Sequence, residues 1–177
     1  MSSVSSEQLA AAILTTLDER LSYSTKKIAH CADQLSEQQF WWQPGEGQNS
    51  IANLCLHLAG NLRQWILLGV GGEESVRDRP AEFADRSRRP KSEIIAELTT
   101  VVARAQQVLN SDSCRADKLV GQRCTQGFDV TVVQAVNEAV SHFVGHMHQI
   151  VLLTRFQLGD QYQFHWEPST PAERSAG

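Results

Sequence analysis

Three histidines have the residue type and spacing of a metal site. His142 and His146 lie four residues apart in a long apolar helical pattern, so both imidazoles face one side of a helix and can reach a single ion. His57 lies on a separate predicted helix. A third imidazole from a neighbouring helix would leave one coordination position open, which distinguishes a catalytic metal site from a closed structural one. The sequence therefore predicts a metal site without indicating what the metal acts on.

The same histidines also have a simpler interpretation. In a chain with six histidines, a pair spaced by four arises by chance roughly one time in five, and a half-buried His57 is more often an ordinary core residue than a ligand. The combination favours a metal, because the pair and the third histidine both lie on inward helix faces. His148 points about 120° away from His142 on its helix, so it is not predicted to be a ligand.

Four polar side chains are expected around the histidines. Glu138 precedes His142 by about one turn on the same face, which makes it the candidate catalytic base. The alternative, which the pattern slightly favours, is that it hydrogen-bonds a ligand imidazole. Gln149 shares this face, and Asn53 and Asn61 flank His57 along a polar stripe. These three amides are the candidate substrate-binding residues, and the alternative is that they pack or satisfy buried polar groups.

The chemistry of such a site has two forms. Three neutral imidazoles leave a divalent ion its full charge, so a bound water is acidified toward neutrality and a bound thiol loses its proton. Two function classes follow: a metal-dependent transferase or hydrolase acting on a small thiol or electrophile, and a metal-binding protein without turnover. The absence of an obvious fourth ligand in the sequence favours the enzyme.

Four long amphipathic helices are predicted to position these residues. Apolar residues recur every three or four positions over residues 7 to about 35, 51 to about 68, 92 to about 110, and 131 to about 155. Helices of this kind, joined by two extended crossing loops, predict an all-α protein with the architecture of a four-helix bundle, and bundles build metal sites from side chains that point into the core.

The helix starts and the loops between the helices are also predicted from residue types. Ser50 and Ser92 are expected to cap the second and third helices, and Thr131 with Gln134 has the form of a capping box. The charged segment 73–91 is interpreted as a long surface loop, with its alternating arginines and carboxylates solvated rather than forming an anion site. Residues 111–130 are expected to be loop-like, with a short extended piece within 118–125.

Composition limits the remaining possibilities. The 177 residues are expected to form a single domain over 1–177, frayed at 1–6 and 167–177. A net charge of −4 argues against nucleic-acid binding, which needs a basic surface. No apolar run approaches the roughly 18 residues of a membrane span. The four cysteines have no metal-type spacing and no signal peptide is recognised, so a reducing cytoplasm is expected.

Two segments resemble the DinB-like superfamily, the damage-inducible four-helix metalloproteins. They are Asn-Ser-Ile-Ala-Asn-Leu-Cys-Leu-His-Leu-Ala-Gly-Asn over 49–61 and His-Phe-Val-Gly-His-Met-His-Gln-Ile over 142–150. The resemblance extends from the first helix to about Phe164. It implies a bundle of the up-down-down-up type in which His57, His142 and His146 bind one divalent metal, commonly zinc, nickel or iron. His148 departs from the pattern, because relatives usually have glycine there.

The stretches over 61–65 and 77–83 resemble a less characterised subgroup of this superfamily. The characterised branches of the superfamily include a maleylpyruvate isomerase and thiol S-transferases that use bacillithiol or mycothiol. The resemblance therefore implies a small-molecule substrate and allows a low-molecular-weight thiol as cofactor. It also implies a homodimer. Phe40, Trp41 and Trp42 are consistent with this, because three adjacent aromatic residues cannot all point into one core, and aromatic residues are favoured at interfaces.

Overall fold

The computed structural model describes residues 4–165, and these residues are mostly helical. The predicted all-α class is therefore confirmed. No helix in this part of the chain combines the length and the apolar character that crossing a bilayer requires. The α-helices are α1 Ser6–Gln34, α2 Glu37–Phe40, α3 Ile51–Leu62, α4 Arg79–Ala84, α5 Lys91–Leu109 and α6 Val132–Leu158. A π-helix spans Arg63–Leu68, 3-10 turns span Asp112–Cys114 and Gly159–Gln161, and a hairpin pairs β1 Gln122–Thr125 with β2 Phe128–Thr131.

The long helices enclose one apolar core. Both α1 and α3 pack against α5 and α6, and the short α4 packs against α3. Because apolar residues recur every three or four positions, each long helix has one apolar side that it can bury. Leu21, Leu58 and Phe143 are fully buried on three of these helices, and burying a side chain of this size contributes about 1.5–3 kcal/mol. The core thus holds α3 and α6 rigidly beside each other.

Capping residues fix where the site-bearing helices begin. Ser50 with Asn53 starts α3 and Thr131 with Gln134 starts α6, each through reciprocal hydrogen bonds between side chain and backbone. Both predictions are confirmed. The prediction for Ser92 is wrong, because α5 begins at Lys91 after Pro90. The carbonyl of Pro90 already accepts the first amide hydrogen bonds of that helix.

Two segments predicted as loops contain regular structure. Residues 73–91 include α4, whose start is fixed by the Asp78 side chain and by Pro80 in its first turn. In residues 111–130 the predicted extended piece is β1, but β2 was not predicted. The hairpin turns through Gln126 and Gly127, both with positive φ, and this pair lacks the Asn-Gly or Asp-Gly sequence that usually indicates such a turn.

The predicted second helix changes character halfway. It is α-helical through Leu62 and continues as the π-helix Arg63–Leu68. Wider turns of this kind are rare and are found frequently at functional sites. Here the change comes directly after Asn61, at the point where the helix passes the histidines.

The ends of the chain and the aromatic triplet are placed as follows. Residues 1–3 and 167–177 of the predicted frayed ends lie outside the described residues, whereas Ser5 caps α1. Phe40 is buried, Trp41 is half-buried and donates its indole N–H to the carbonyl of Arg89, and Trp42 is exposed. The three rings therefore do not share one core, as predicted.

Candidate metal centre

Three imidazoles meet between α3 and α6. His57 comes from α3, His142 and His146 come from α6, and one ligand nitrogen from each lies within 4.8 Å of the others. The Nε2 atoms of His57 and His142 are 2.8 Å apart, and the His142 and His146 rings have centroids separated by 4.5 Å. The structure thus brings together the three histidines that the sequence indicated. Their nitrogens are close enough to hold one metal ion.

The protonation of these imidazoles suits metal binding. Burial, together with neighbouring His146, His57 and Arg77, lowers the pKa of His142 to about 4. Burial also lowers the pKa of His146, despite an opposing contact with Gln149. Both rings are therefore neutral near pH 7, and a neutral imidazole is the form that coordinates a metal.

A carboxylate orients the third imidazole. Nδ1 of His57 lies 2.9 Å from Oε2 of Glu82. Burial raises the pKa of Glu82, but hydrogen bonds from Arg77 and His57 outweigh it and the pKa is lowered overall. An ionised carboxylate only accepts hydrogen bonds, so Nδ1 of His57 carries a proton and Nε2 is the nitrogen that faces His142. Metal-ligating histidines are typically held by such a carboxylate.

Arg77 holds Glu82 in turn. Its Nε donates to Oε1 at 2.7 Å and its Nη2 donates to Oε2 at 2.8 Å, a bidentate geometry. Its Nη1 donates to Oε1 of Gln64 at 2.8 Å. Nη2 also lies 3.1 Å from Nδ1 of His57, but both nitrogens carry hydrogen, so this is a contact and not a hydrogen bond. The two charged side chains are only 7% and 11% exposed.

Gly60 makes room for this ion pair. A Cβ atom at this position would lie 1.9 Å from Oε1 of Glu82 and 3.0 Å from Nε of Arg77. A glycine inside a helix costs roughly 0.5–1 kcal/mol relative to alanine. Gly60 lies in the last turn of α3, before the helix continues as the π-helix. The close approach of the carboxylate explains why a glycine stands there.

Asn53 ties α4 to α3 beneath the site. Its Nδ2 donates to the carbonyls of Glu82 and Asp85, at 3.0 and 3.1 Å, and its Oδ1 accepts from the Ser50 hydroxyl at 2.7 Å. The side chain is fully buried. Both ends of the amide are used in positioning Glu82, so the structure places Asn53 behind the histidines and not on a substrate-facing surface.

Gln149 orients the imidazole of His146 through its Nδ1, as Glu82 orients that of His57. Its Oε1 lies 2.9 Å from Nδ1 of His146, which leaves Nε2 of that ring as the ligand nitrogen. His148 is exposed, and its Nδ1 lies 3.0 Å from the carbonyl of Val144 on the same helix. It is outside the histidine cluster, in agreement with its predicted direction.

A cavity of about 340 Å³ opens over His57 and His142 of the cluster. Its walls are made by polar and aromatic side chains from α3, the π-helix, the segment around α4, the hairpin turn and α6: His57, Asn61, Trp65, Arg77, Arg79, Gln126, Glu138 and His142. Gln126, at the hairpin turn, donates to Gln64 and so ties the turn to this wall. A larger groove of about 700 Å³ lies between α1 and α6 but has no histidine, cysteine or carboxylate in its lining. We therefore place the chemistry at the smaller cavity.

Glu138 is exposed at the cavity wall. Within residues 4–165, no hydrogen bond joins it to any of the three imidazoles. Asn61 also lines the cavity and is 7% exposed, and its Oδ1 is buried without a hydrogen-bond partner in the described part of the chain. Of the three candidate substrate-binding residues, Asn61 is thus the one that the structure places in the cavity wall.

Sequence reasoning missed Glu82 and Arg77. The prediction that their segment is simply a solvated loop is wrong for these two residues, because both side chains are largely buried against α3. One usable signal was present: Asp78 followed by Pro80 indicates a helix start, which places Arg79, Glu82 and Phe83 on one helix face. Pairing Glu82 with His57 is a tertiary contact that no local spacing indicates.

The fold and the site together define a helical protein with a three-histidine cluster facing a cavity. The chain matches the family model described as "Protein of unknown function (DUF1572)" over residues 8–168, and it belongs to that family. A comparison with curated proteins found no match. The family's description names no activity, so the function has to be inferred from the site.

We expect His142→Ala and His146→Ala to lose bound metal, because each removes one of the three ligands. Protein purified without a histidine tag should carry about one divalent ion per chain as measured by elemental analysis. His148→Ala is the matched control and should keep its metal. Full metal occupancy in His142→Ala or in His146→Ala would show that the replaced histidine does not bind the ion.

Replacing Glu82 with glutamine should weaken metal binding by roughly 10- to 100-fold, because His57 loses the carboxylate that fixes its tautomer. Competition with a chromophoric chelator measures the affinity. The control is Glu97→Gln. Glu97 is likewise a carboxylate held by arginine side chains, those of Arg63 and Arg89, but it contacts no histidine of the cluster. Equal losses in both variants would mean that Glu82 acts only through stability.

Proposed function

We propose that this protein binds one divalent metal ion, such as zinc, nickel or iron, and is a metal-dependent enzyme that activates a small thiol or water. The reaction would be of the thiol S-transferase or hydrolase type. The observation that carries the proposal is a cluster of three histidines, two with lowered pKa values, that opens onto a cavity with a carboxylate in its wall. The resemblance to the DinB-like superfamily supports the same reaction classes and a low-molecular-weight thiol as cofactor.

His57, His142 and His146 would hold the ion. When bound, a divalent ion with three neutral imidazole ligands lowers the pKa of a water or thiol toward neutrality. Glu82 and Gln149 keep the imidazoles of His57 and His146, respectively, in the tautomer and orientation that coordination needs. The protein's own contribution is therefore a rigid, neutral donor set beside an accessible cavity.

We assign Glu138 as the group that takes the proton. The sequence allowed two roles for it, general base or orienter of a ligand imidazole. Glu82 and Gln149 already make the orienting hydrogen bonds to His57 and His146, whereas Glu138 faces the cavity. This arrangement supports the base, since its carboxylate is free to approach a ligand in the cavity.

The alternative is a stress-related bundle protein that binds a divalent metal without turnover. Such a protein would need no access to its ion and would gain from a fourth protein ligand. Within residues 4–165, the cluster contains three possible ligands, and a cavity adjoins it. Both observations favour the enzyme.

We also propose the finer features that the resemblance implies. The four long helices α1, α3, α5 and α6 would form the up-down-down-up bundle of the DinB-like type, and the protein would be a homodimer in the cytoplasm. The exposed ring of Trp42 is consistent with a second copy. The four unpaired cysteines are consistent with a reducing compartment.

Glu138→Gln should lower kcat by roughly 100-fold or more and leave metal affinity near that of the wild type, because a general base acts only in turnover. Activity is sought with 1-chloro-2,4-dinitrobenzene plus small thiols for transfer, and with 4-nitrophenyl acetate for hydrolysis. Glu19→Gln, an exposed carboxylate on α1, is the control and should change neither quantity. A variant at position 138 with weakened metal binding would instead indicate an orienting role, and unchanged rate and affinity would remove Glu138 from both.

A further inference from the structure

The cavity over the histidines has a positively charged group in its wall. The guanidinium of Arg79 lies 5.0 Å from the centre of the Phe83 ring, and that ring lies 4.6 Å from the ring of His57. Arg79 therefore stacks on a residue that itself packs on a predicted metal ligand. A guanidinium is attracted to the face of an aromatic ring, so these two contacts keep the positive charge of Arg79 near the histidines.

The short helix α4 sets the position of Arg79. Residues three and four apart share one helix face, so Arg79, Glu82 and Phe83 all lie on the same side of α4. Glu82 is held by Arg77 and His57, and the carbonyls at the end of α4 are held by Asn53. The helix α4 thus cannot shift without breaking the contact between Glu82 and His57. The backbone of Arg79, which belongs to this helix, is held in place with it.

Arg79 differs from Arg77 in its pairing. The charge of Arg77 is neutralised by the bidentate contact with Glu82, whereas no carboxylate within residues 4–165 forms an ion pair with Arg79. Glu138 lines the same cavity but is not paired with Arg79, so each stays available to a ligand.

Asn61 gives a second, independent indication of a ligand. Its side chain is more than nine-tenths buried, it lines the cavity, and its Oδ1 has no hydrogen-bond partner among the described residues. Leaving a buried amide unsatisfied is costly, and such groups in folded proteins usually have a partner. Because an amide oxygen accepts hydrogen bonds, the unpartnered Oδ1 of Asn61 matches a ligand that brings an O–H or N–H donor into this cavity.

We propose that the substrate of this site is a small carboxylate, whose carboxylate group accepts hydrogen bonds from the Arg79 guanidinium. The planar guanidinium matches a carboxylate with two parallel hydrogen bonds. The cavity of about 340 Å³ is at the small end of ligand pockets, so the other end of such a molecule would lie beside the three histidines. This inference rests on the proposed function, because the histidine-bound ion is the second anchor.

Two pairs of probes test the proposal in the cobalt-loaded protein. Mercaptoacetate and mercaptoethanol share a thiol and differ in the carboxylate; their binding is followed by the thiolate-to-cobalt charge-transfer absorption. Glycolate and glycolamide differ in the same way without a thiol, and their binding is followed by calorimetry. The carboxylate of each pair should bind roughly tenfold or more tightly, which is the scale of one charge-assisted hydrogen bond.

Arg79→Gln should remove that preference and leave the neutral probe of each pair unaffected. Arg79 is exposed, so this variant is expected to fold. Arg88→Gln is the matched control, since Arg88 is also exposed, lies outside the cavity and gives the same change in net charge.

The outcomes separate this proposal from the proposed function. If cobalt binds and neither pair prefers the carboxylate, or if Arg79→Gln and Arg88→Gln behave alike, the carboxylate site is wrong while the metal site stands. If the thiols give no charge-transfer band but glycolate is preferred and loses that preference in Arg79→Gln, the thiol reaction is wrong while the carboxylate site stands. If cobalt does not bind to the wild type, both proposals fail.

Discussion

The position of the Glu82 carboxylate is the constraint on which the site depends. It lies in a largely buried place between the guanidinium of Arg77 and the imidazole of His57. Removing one partner of a buried ion pair typically costs about 3–5 kcal/mol, because the remaining charge is left uncompensated. The contact therefore holds α4 against α3, and through α4 it also sets the places of Arg79 and Phe83. The absence of a side chain at Gly60 in α3 leaves the space that the Glu82 carboxylate occupies.

The same contact links the fold to the chemistry. A histidine coordinates a metal through one nitrogen only when the proton is on the other, and Glu82 and Gln149 make that choice for His57 and His146. Burial keeps His142 neutral by lowering its pKa. The scaffold thus holds the three imidazoles close together. Because the Nε2 atoms of His57 and His142 lie 2.8 Å apart, one of them carries a hydrogen that a metal ion would displace. Glu138 and Arg79 line the cavity beside this donor set.

The sequence indicated the parts of this site that depend on local periodicity. Two histidines spaced by four must share a helix face, and the capping boxes at Ser50 and Thr131 fix where their helices begin. The convergence of His57 with that pair followed from helix amphipathicity. The contacts between Arg77, Glu82 and α3 could not be predicted in this way, because they join residues far apart in sequence through a helix of six residues. Such a helix is too short for apolar periodicity to indicate it.

The π-helix and the second strand of the hairpin were missed for a related reason. Residues 63–68 continue the helical pattern of α3, so the sequence pattern does not distinguish the wider turn from an α-helix. Gln126 adopts positive φ although it is neither glycine nor asparagine, so its residue type did not indicate the turn. Trp65 of the π-helix and Gln126 of the hairpin turn line the cavity, where local preference and final structure are expected to disagree most.

The most direct test of the central claim is X-ray absorption spectroscopy of the metal-loaded protein, with and without a small ligand. Three imidazole ligands and one accessible position predict three nitrogen scatterers at about 2.0–2.1 Å, with the imidazole multiple-scattering pattern. A further light scatterer should be exchanged for sulfur when mercaptoethanol is added. A shell of four protein ligands that does not change with added thiol, or a spectrum with no imidazole contribution, would contradict the account.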